Sequence, residues 1–593
     1  MPSWTSGGRP KAAAGGAIVA NGGTITHHHG VGRDHTPWIG RATRAGRHRP
    51  RRRDLTLGCY RGAMVTGGVA PSSTVALRAR LNPFGALPER QRTWWALGGC
   101  LLLALVLRAP YLSTPLGTDE GGIAYIARNW PGGHGSLYGA YWLDRPPLLL
   151  GLFKIAVLGG DRGLRVLGAL AAVALVVVIA LLGRAVAGPR AGRIAALLAA
   201  LLTGSVSIGA VFTPGELLAA VPSTLSVLCL ILAHRWRHAR FVFAAGALAV
   251  GAALIKQSFL DAGVAGVAFV AVSAGLNRDV RLRWPLAYGA GAAVPLGALL
   301  AWLAAAQQPL GGFIYALVGF RLDLLHTLAG SSIPLHVRLA GLAVPALASG
   351  LVLVVAGAVM GLRRLRGDRT LVVTFSAWLA AATVGVLAGG YYAPHYLIEL
   401  VPVSCVAAAA VLASARTRTC VAVLGACTAV SLTAALDGAA HLPKRRPVLA
   451  VANYVRDHAR PGDTQYVMYA RPNVVYYAGL PSPYPYVWSL MVRARPGARA
   501  QLQRLLGSTA RPTWLVQWHD ADLWQLDPGD RTDRLLARGY RLAAIVCGHP
   551  IYVRNDRPAP PRVTRSACPR SAGLPYLHAR LSPPRLQTGA IPR

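Results

Sequence analysis

Two adjacent acids, Asp119 and Glu120, are the first residues in this sequence whose type and position suit catalysis. They precede an amphipathic stretch, Ile123 to Trp130, which is expected to lie along a membrane surface. A carboxylate held at such a boundary can abstract a proton or hold a cation. The alternative is structural: Thr118 or Asp119 caps a helix, and the acids complement the helix dipole. Spacing alone leaves both interpretations open.

Arg145 and Lys256 are basic residues at positions where a cation needs a partner or access to water. Arg145 precedes two prolines at the expected outer headgroup level, where it would meet a lipid phosphate or snorkel without a specific partner. Lys256 interrupts a long apolar stretch, and a buried cation there requires a counter-ion. The alternative is an outer turn from which the lysine snorkels to water.

Glu216, His395 and Tyr396 complete the set of candidate site residues. Glu216 begins a predicted span, so its simplest role is that of an acid in the first turn of a helix. His395 and Tyr396 follow Tyr391 and Tyr392 at interface depth, where an aromatic belt is expected. The sharper alternative is that His395 contacts a phosphate or a sugar. Together, these acids and cations suit a lipid phosphate substrate at the membrane surface.

The composition requires a membrane to surround much of the chain. Of 593 residues, 53% are hydrophobic and 14% are charged, whereas a soluble protein carries about 25% charged residues. The apolar residues form long blocks, which predicts a polytopic α-helical membrane protein. The net charge of +40 does not predict nucleic-acid binding, because the arginines lie in short loops and in both tails. The eight cysteines lack metal-like spacing and imply no disulfide framework.

Eleven spans are predicted, with the N-terminus in the cytoplasm and the C-terminal domain outside. The five loops then assigned to the cytoplasm carry fifteen Arg and two Asp, as the positive-inside rule requires. The apolar run Leu148–Leu158 is too short to span and is expected to be interfacial or re-entrant. Residues 306–335 are expected to form a long outer loop. The predicted spans are 94–110, 163–183, 194–211, 217–233, 241–255, 259–276, 285–305, 336–361, 370–389, 396–414 and 419–436.

Four regions follow from these patterns. The basic N-terminal segment is expected to be disordered, and Met64 is expected to lie at or near the native start. The C-terminal domain reads as a small extracytoplasmic α/β domain, because probable helices at 447–459, 497–507 and 529–538 alternate with strand-like runs. The Pro- and Arg-rich tail is expected to be disordered. The regions are 1–90, 91–440 with a first outer loop at 111–147, 441–556 and 557–593; the strand-like runs are 465–469, 513–518, 542–546 and 551–553.

The motifs of the membrane region resemble those of the GT-C glycosyltransferases, and most closely the glycosyltransferase family 39 group. Protein O-mannosyltransferases and aminoarabinose transferases are relatives of that group. The resemblance covers about residues 90–440 and implies a GT-C-like helical fold. The matching motifs are the Asp-Glu pair, Asn129-Trp130, Arg-Pro-Pro-Leu-Leu at 145–149, Gly-Glu-Leu-Leu at 215–218, Lys256-Gln257, Pro-His-Tyr at 394–396 and Pro402.

The resemblance implies a polyprenyl-phosphate-sugar donor and an inverting single displacement on the extracytoplasmic side. By position, Asp119 matches the acid that acts as general base, and Glu120 is its usual neighbour. Lys256 matches a basic residue that contacts the donor phosphate. Glu216 stands where many members have Asp, and Arg145 where relatives often have Lys. Parts of the superfamily use a divalent cation, which Asp119 and Glu216 would bind here, although the sequence requires none.

The favoured function is therefore transfer of a pentose or hexose, such as arabinose or mannose, to an acceptor hydroxyl of a protein, lipid or polysaccharide. The bias towards Arg, Ala and Gly is typical of an actinobacterium, so a bacterial cell membrane is expected. Two alternatives remain: a transporter or lipid flippase, and a non-catalytic membrane scaffold. A transporter usually shows repeated halves and helices broken at the midplane, and no internal repeat is found.

Overall fold

Long apolar helices and a small mixed sheet follow one another along the computed structural model of this chain. Residues 1–87, which include Met64 and nearly all of the predicted N-terminal segment, lie outside the described residues. The fold class predicted from the sequence is confirmed: an α-helical membrane domain precedes a small α/β domain. The structure describes residues 88–131, 137–330, 334–440, 442, 446–469, 471–519, 526–527, 529–558, 564–566 and 568.

Proline directly precedes several helices of the membrane domain, as Pro88, Pro146, Pro214 and Pro334 show, and this is expected for apolar segments separated by helix breakers. The longest, α4, contains a break at Ala187 and Gly188 just before Pro189, so it comprises two helical rods. The helices are α1 Glu89–Arg108, α2 Thr118–Asn129, α3 Pro147–Ala156, α4 Gly160–Thr203, α5 Gly215–Trp236, α6 Ala239–Ile255, α7 Asp261–Leu276, α8 Arg283–Ala305, α9 Leu310–Ile314, α10 Phe320–Ala329, α11 Leu335–Ala348, α12 Leu351–Arg364, α13 Arg369–Ala388, α14 Val401–Leu412 and α15 Thr417–Ala440.

Within the described residues, eight helical segments are long and apolar enough to cross a membrane, or nine if one bent pair counts as a span. The prediction of eleven differs partly because the continuous segment Pro147–Thr203 contains two predicted spans. The apolar helices α6 and α7 are also shorter than a typical span, since Lys256 and its neighbours interrupt them. The short helix α3 covers most of the apolar run predicted to be interfacial or re-entrant, and its place relative to a membrane stays a prediction.

Two predictions about this domain are wrong. The segment 306–335 is largely helical rather than a loop, because the charges that interrupt its apolar pattern have partners: Arg321 pairs with Asp144, and Asp323 accepts a hydrogen bond from Tyr315. The predicted span 336–361 is broken between α11 and α12, which are bent by 83°. Gly350 lies at this break with φ of +75°, a conformation that glycine adopts without strain.

Three contacts bring together segments that the charge pattern assigned to one side of the membrane. His234 Nε2 lies 2.8 Å from Asp368 Oδ2, which joins the end of α5 to the N-cap of α13. Arg193 pairs with Glu89 at 3.2 Å, at the start of α1. The guanidinium of Arg237 lies 5.2 Å from the centre of the Trp284 ring. These contacts join segments at or beside the predicted inner loops, and the orientation of the chain in the membrane stays a prediction.

The C-terminal domain, from Arg446 onward, is built around a mixed sheet of five strands within the described residues. The order is β1-β2-β4-β3-β5, with β1 parallel to β2, β3 parallel to β5, and β4 antiparallel to both of its neighbours. The predicted helices and strands are present, and shorter helices were missed. The elements are α16 Arg446–His458, β1 Gln465–Met468, α17 Pro472–Ala478, α18 Ser489–Ala494, α19 Ala498–Leu506, β2 Trp514–Gln517, α20 Arg531–Gly539, β3 Tyr540–Val546, β4 His549–Arg554 and β5 Thr564–Ser566.

The sheet extends beyond the predicted end of this domain at residue 556. Strand β5 lies in the segment that was predicted to be a disordered tail, and residues 569–593 lie outside the described residues. Cys547 forms a disulfide with Cys568, although the cysteine spacing implied none. The disulfide was not predicted because two cysteines that are distant in sequence give no local spacing signal.

The C-terminal domain packs directly on α2, and two glycines make this close approach possible. A Cβ atom at Gly121 would lie 2.3 Å from Asn473 Cβ, and one at Gly122 would lie 2.3 Å from Trp488 Cζ2. Asn473 Nδ2 also donates a hydrogen bond to the carbonyl of Leu116 at 3.1 Å. The helix that carries the adjacent acids is therefore held between the membrane domain and the C-terminal domain.

Candidate active site

Asp119 is exposed in the first turn of α2, with one carboxylate oxygen held by the C-terminal domain. Trp488 Nε1 donates a hydrogen bond to Asp119 Oδ1 at 3.0 Å. The preceding residue is held by the same domain, because Arg471 Nη1 donates to Thr118 Oγ1 at 3.0 Å. Asp119 also lies within electrostatic reach of Arg145 and Tyr396. An exposed carboxylate in this position is available to take a proton from a bound molecule.

Glu120 has a different environment, and its assignment as a catalytic residue is not supported by its contacts. Its side chain is buried, forms an ion pair with the buried Arg165, and accepts a hydrogen bond from the backbone N–H of Thr213 at 2.8 Å. Its other oxygen accepts from the N–H of Gly117 at 2.7 Å, as in a capping box. Glu120 therefore anchors the start of α2, which is the structural alternative weighed for the acid pair.

The loop that meets Glu120 is itself held by a buried arginine. Arg108, at the end of α1, donates hydrogen bonds to the carbonyls of Thr203 and Phe212 at 2.8 Å each and of Gly168 at 3.1 Å. The carbonyls of Thr203 and Phe212 flank the turn before α5, and Thr213 in this turn also donates a hydrogen bond from Oγ1 to the carbonyl of Leu164 at 2.8 Å. Glu120 thus connects the start of α2, where Asp119 lies, to the three transmembrane helices α1, α4 and α5.

Asp144, Arg145 and Arg321 form a second part of the site. Asp144 is buried and pairs with Arg145 beside it and with Arg321 of α10, whose Nη2 lies 2.6 Å from Asp144 Oδ2. Burial opposes ionisation of Asp144, but Arg145, Arg321 and Lys256 outweigh it and hold its pKa below the ordinary value. Burial also opposes the charge of Arg145, and Asp144 reverses this effect, so the pKa of Arg145 is raised. The guanidinium of Arg145 therefore stays charged.

Lys256 and Glu216 form a third part, buried at the break between α6 and α7. Lys256 Nζ lies 2.6 Å from Glu216 Oε1, with only 6% and 2% of the two side chains exposed, so neither charge is left unpaired. His395 Nε2 lies 3.7 Å from the same oxygen. The Lys256 ammonium also lies 5.3 Å from the centre of the Tyr396 ring. The structure thus brings together four of the predicted site residues.

Gln257 connects the second part to the third. Its Nε2 donates a hydrogen bond to the carbonyl of Asp144 at 2.8 Å, while the adjacent Lys256 pairs with Glu216. The break in the α6–α7 segment is therefore tied to the loop that carries Arg145. The three cations Lys256, Arg145 and Arg321 lie close enough to influence one another electrostatically. Such a concentration of positive charge suits a phosphate group.

A ring cluster connects this site to the C-terminal domain. The guanidinium of Arg495 lies 5.2 Å from the Trp142 ring, 4.8 Å from Tyr315 and 5.1 Å from Tyr486. Trp142 also packs edge-on against Phe320, with ring centres 4.9 Å apart. Because Trp142 is two residues before Asp144 and Phe320 is next to Arg321, these rings support the second part of the site.

Several of these residues were missed in the sequence. Asp144 could have been found, since it is a rare acid directly beside Arg145. Arg321 was hidden in a segment predicted as a loop. Trp488 gave no signal, because it is 369 residues from its partner. Buried acids also lie inside the bundle, among them Asp261, which accepts a hydrogen bond from Trp378 Nε1 at 2.6 Å.

The residues do not fit a divalent cation shared by Asp119 and Glu216. The Lys256 ammonium already neutralises Glu216, and Trp488 occupies one oxygen of Asp119. Among the described residues, no group of three or more His, Cys, Asp and Glu side chains is placed to bind a metal. A cation would have to displace Lys256, so no catalytic step is assigned to a metal.

Comparison with protein families gives two matches. The family described as dolichyl-phosphate-mannose-protein mannosyltransferase matches residues 144–302, which include Arg145, Glu216 and Lys256 but not Asp119. A family described as the C-terminal domain of FAD linked oxidases matches residues 12–46, outside the described residues, and bears on none of the site. No curated protein matches the chain.

Comparison with solved structures gives matches over most of the chain. ArnT from Cupriavidus metallidurans bound to undecaprenyl phosphate is 15% identical, with a TM-score of 0.56, over 79% of this chain and 99% of that chain. ArnT in the apo state is 16% identical, with a TM-score of 0.58, over 80% and 100%. The apo oligosaccharyltransferase of Archaeoglobus fulgidus is 14% identical, with a TM-score of 0.50, over 79% and 75%. This chain has the fold of the GT-C membrane glycosyltransferases.

Proposed function

We propose that this protein transfers a sugar from a polyprenyl phosphate to an acceptor hydroxyl, with inversion at the anomeric carbon. The observation that carries the proposal is the placement of Asp119, an exposed acid, within electrostatic reach of Arg145, which itself lies close to Arg321 and to the buried Lys256. A sugar joined to a phosphate needs both features: a base on the acceptor side and positive charge on the leaving-group side.

The cations would hold the donor phosphate. Arg145 and Arg321 both pair with Asp144, and Lys256 pairs with Glu216, beside which His395 lies. Three cations, Arg145, Arg321 and Lys256, are thus balanced by only two carboxylates. The remaining positive charge would attract the phosphate and stabilise the charge that builds on it as its bond to the sugar breaks. Because the departing phosphate is already stable as an anion, it needs no proton from an acid, unlike the leaving group of a glycosidase.

Asp119 would act as the general base. It would take the proton of the acceptor hydroxyl as that oxygen forms a bond to the anomeric carbon and the bond from that carbon to the phosphate oxygen breaks. Glu120 has no part in this step, because its charge is already paired with Arg165. The acceptor would reach Asp119 at the junction with the C-terminal domain, where Trp488 and Arg471 contact the start of α2.

Support for the donor class comes from the fold. The ArnT structure that resembles this chain is bound to undecaprenyl phosphate, a polyprenyl phosphate. The sugar is proposed to be a pentose or hexose such as arabinose or mannose, and the acceptor a protein, lipid or polysaccharide. The proposed location is the bacterial cell membrane, with the site and the C-terminal domain on the extracytoplasmic side and the N-terminus in the cytoplasm.

The decisive experiment is a transfer assay on membranes that contain the protein, with a panel of polyprenyl-phosphate sugars. We expect one donor to support transfer by the wild type and Asp119→Asn to reduce the rate at least about a thousandfold, since it removes the base. Asp457→Asn changes an exposed acid on α16 and serves as the matched control. Transfer by the Asp119→Asn variant at the wild-type rate would overturn the proposal.

A further inference from the structure

Trp488 is the residue of the C-terminal domain that reaches the candidate base. It immediately precedes α18, and its indole Nε1 donates a hydrogen bond to Asp119 Oδ1 at 3.0 Å. The indole ring is partly buried and Asp119 is exposed, so the contact lies at the edge of the interface between the two domains. Among the described residues, this indole N–H is the hydrogen-bond donor found at the Asp119 carboxylate, while the neighbouring Glu120 is engaged by Arg165 and by the N–H of Gly117.

The backbone around Asp119 is shaped to admit this ring. Gly122 follows Asp119 by three residues on α2, and a Cβ there would lie 2.3 Å from Cζ2 and 2.8 Å from Cη2 of Trp488. Any other residue at 122 would displace the indole from its present position. The ring also has a defined direction, because a Trp side chain offers one polar hydrogen and that hydrogen points at Asp119.

We propose that Trp488 is a positioning residue that fixes the orientation of the Asp119 carboxylate for catalysis. The inference rests on the proposed role of Asp119 as base. A hydrogen bond to Oδ1 restricts the rotation of the carboxylate and leaves Oδ2 to take the proton of the acceptor hydroxyl. The indole cannot accept the proton itself, so its role is geometric. The C-terminal domain thereby contributes to the reacting centre without touching the substrate's reacting atoms.

The opposing interpretation is that Trp488 is only a packing residue between two domains. The chain offers a matched control for this alternative, because Trp514 Nε1 donates to Asp463 Oδ2 at 3.1 Å inside the C-terminal domain. Trp488→Phe and Trp514→Phe each keep a ring and remove one indole N–H bond to an aspartate. A packing role predicts similar effects of both changes, whereas a positioning role predicts different ones.

The experiment compares these two variants in the full-length protein. With the donor that supports wild-type transfer, Trp488→Phe is expected to lower kcat about tenfold with little change in the KM for the donor, because the donor phosphate site does not include Trp488. Trp514→Phe is expected to lower thermal stability but to leave kcat within about twofold. Gly122→Ala, which should push the indole away while leaving its N–H intact, is expected to reproduce the loss in kcat. Gly151→Ala, at a glycine with open space around it, is its control.

Hydrogen exchange gives a second measurement that needs no donor. Trp488→Phe is expected to speed exchange at the start of α2, over residues 117–125, and Trp514→Phe is not. Equal kcat for Trp488→Phe and Trp514→Phe, or unchanged exchange over 117–125 in Trp488→Phe, would overturn the positioning role while leaving the base assignment intact. Full transfer by Asp119→Asn would instead remove the proposed function itself.

Discussion

The buried acids Asp144 and Glu216 and the exposed acid Asp119 differ in how their charges are satisfied. Around Asp144 and Glu216, the acids are buried and paired with Arg145, Arg321 or Lys256. Asp119 is exposed, and the contact that holds it is a neutral indole N–H rather than a cation. Buried ion pairs preserve charge and geometry, whereas an exposed carboxylate with one free oxygen can exchange a proton. The comparison separates the residues that would hold a phosphate from the residue that would react.

The largest effect is expected from breaking the buried ion pair between Glu216 and Lys256. Glu216→Gln or Lys256→Met alone should lower the free energy of unfolding by about 3–5 kcal/mol, because each leaves a buried charge without its partner. The double variant should recover most of this stability but not transfer activity. Thermal unfolding of the detergent-solubilised protein measures the stability. Single variants as stable as the wild type would show that the pair is hydrated rather than buried.

A somewhat smaller effect is expected at Glu120, and it separates two adjacent acids. Glu120→Gln leaves Arg165 buried without a counter-ion and should lower the free energy of unfolding by about 3 kcal/mol. Asp119→Asn should change stability by less than about 0.5 kcal/mol, because its side chain is exposed. Denaturant or thermal unfolding of both variants, beside their transfer rates, measures the difference. A stable, inactive Glu120→Gln protein would return Glu120 to the catalytic residues.

The smallest effect is a pH dependence of stability at His549, which lies close to Arg471, the residue that donates a hydrogen bond to Thr118. His549 stacks on Trp518, which lies beside Arg471, and burial, aided by His519 and Arg471, lowers the pKa of His549 from 6.5 to about 4. Between those values the unfolded chain takes up a proton that the folded chain does not, so stability falls as the pH drops from 6.5 towards 4. Above pH 6.5 the His549 imidazole is mostly neutral in both the folded and the unfolded chain, so this loss of stability is absent.

Hydrogen exchange in β4, measured at pH values between 4 and 7 and corrected for the intrinsic rate, tests this prediction. His549→Gln should remove the pH dependence. The Asp144 carboxylate should not respond in this range, since the cations beside it hold its pKa below the ordinary value and keep it ionised. An equal response of both regions would contradict the separation between them.

The fold class and most of the site could be predicted, because hydropathy and rare charges are local signals. Lys256 stands out in an apolar stretch, and Glu216 is a rare acid at the start of a predicted span, although the pairing of the two was not predicted. Glu120 was predicted as catalytic because the residues of a capping box and of an acidic site look alike in sequence, whereas its contacts in the structure are those of a capping residue. Arg321 was missed because its charge made a packed helix resemble a loop. Trp488 was invisible because only the folded chain brings it to Asp119.

The Arg495 ring cluster has a consequence for how this protein can be dissected. One cation is shared by rings from the first loop, from the α9–α10 segment and from the C-terminal domain. Severing the chain near residue 440 would uncover aromatic surface on both fragments at once. The C-terminal domain is therefore a poor candidate for separate expression. A chimera that exchanges it with another protein must preserve the aromatic contacts around Arg495 at the interface between the two domains.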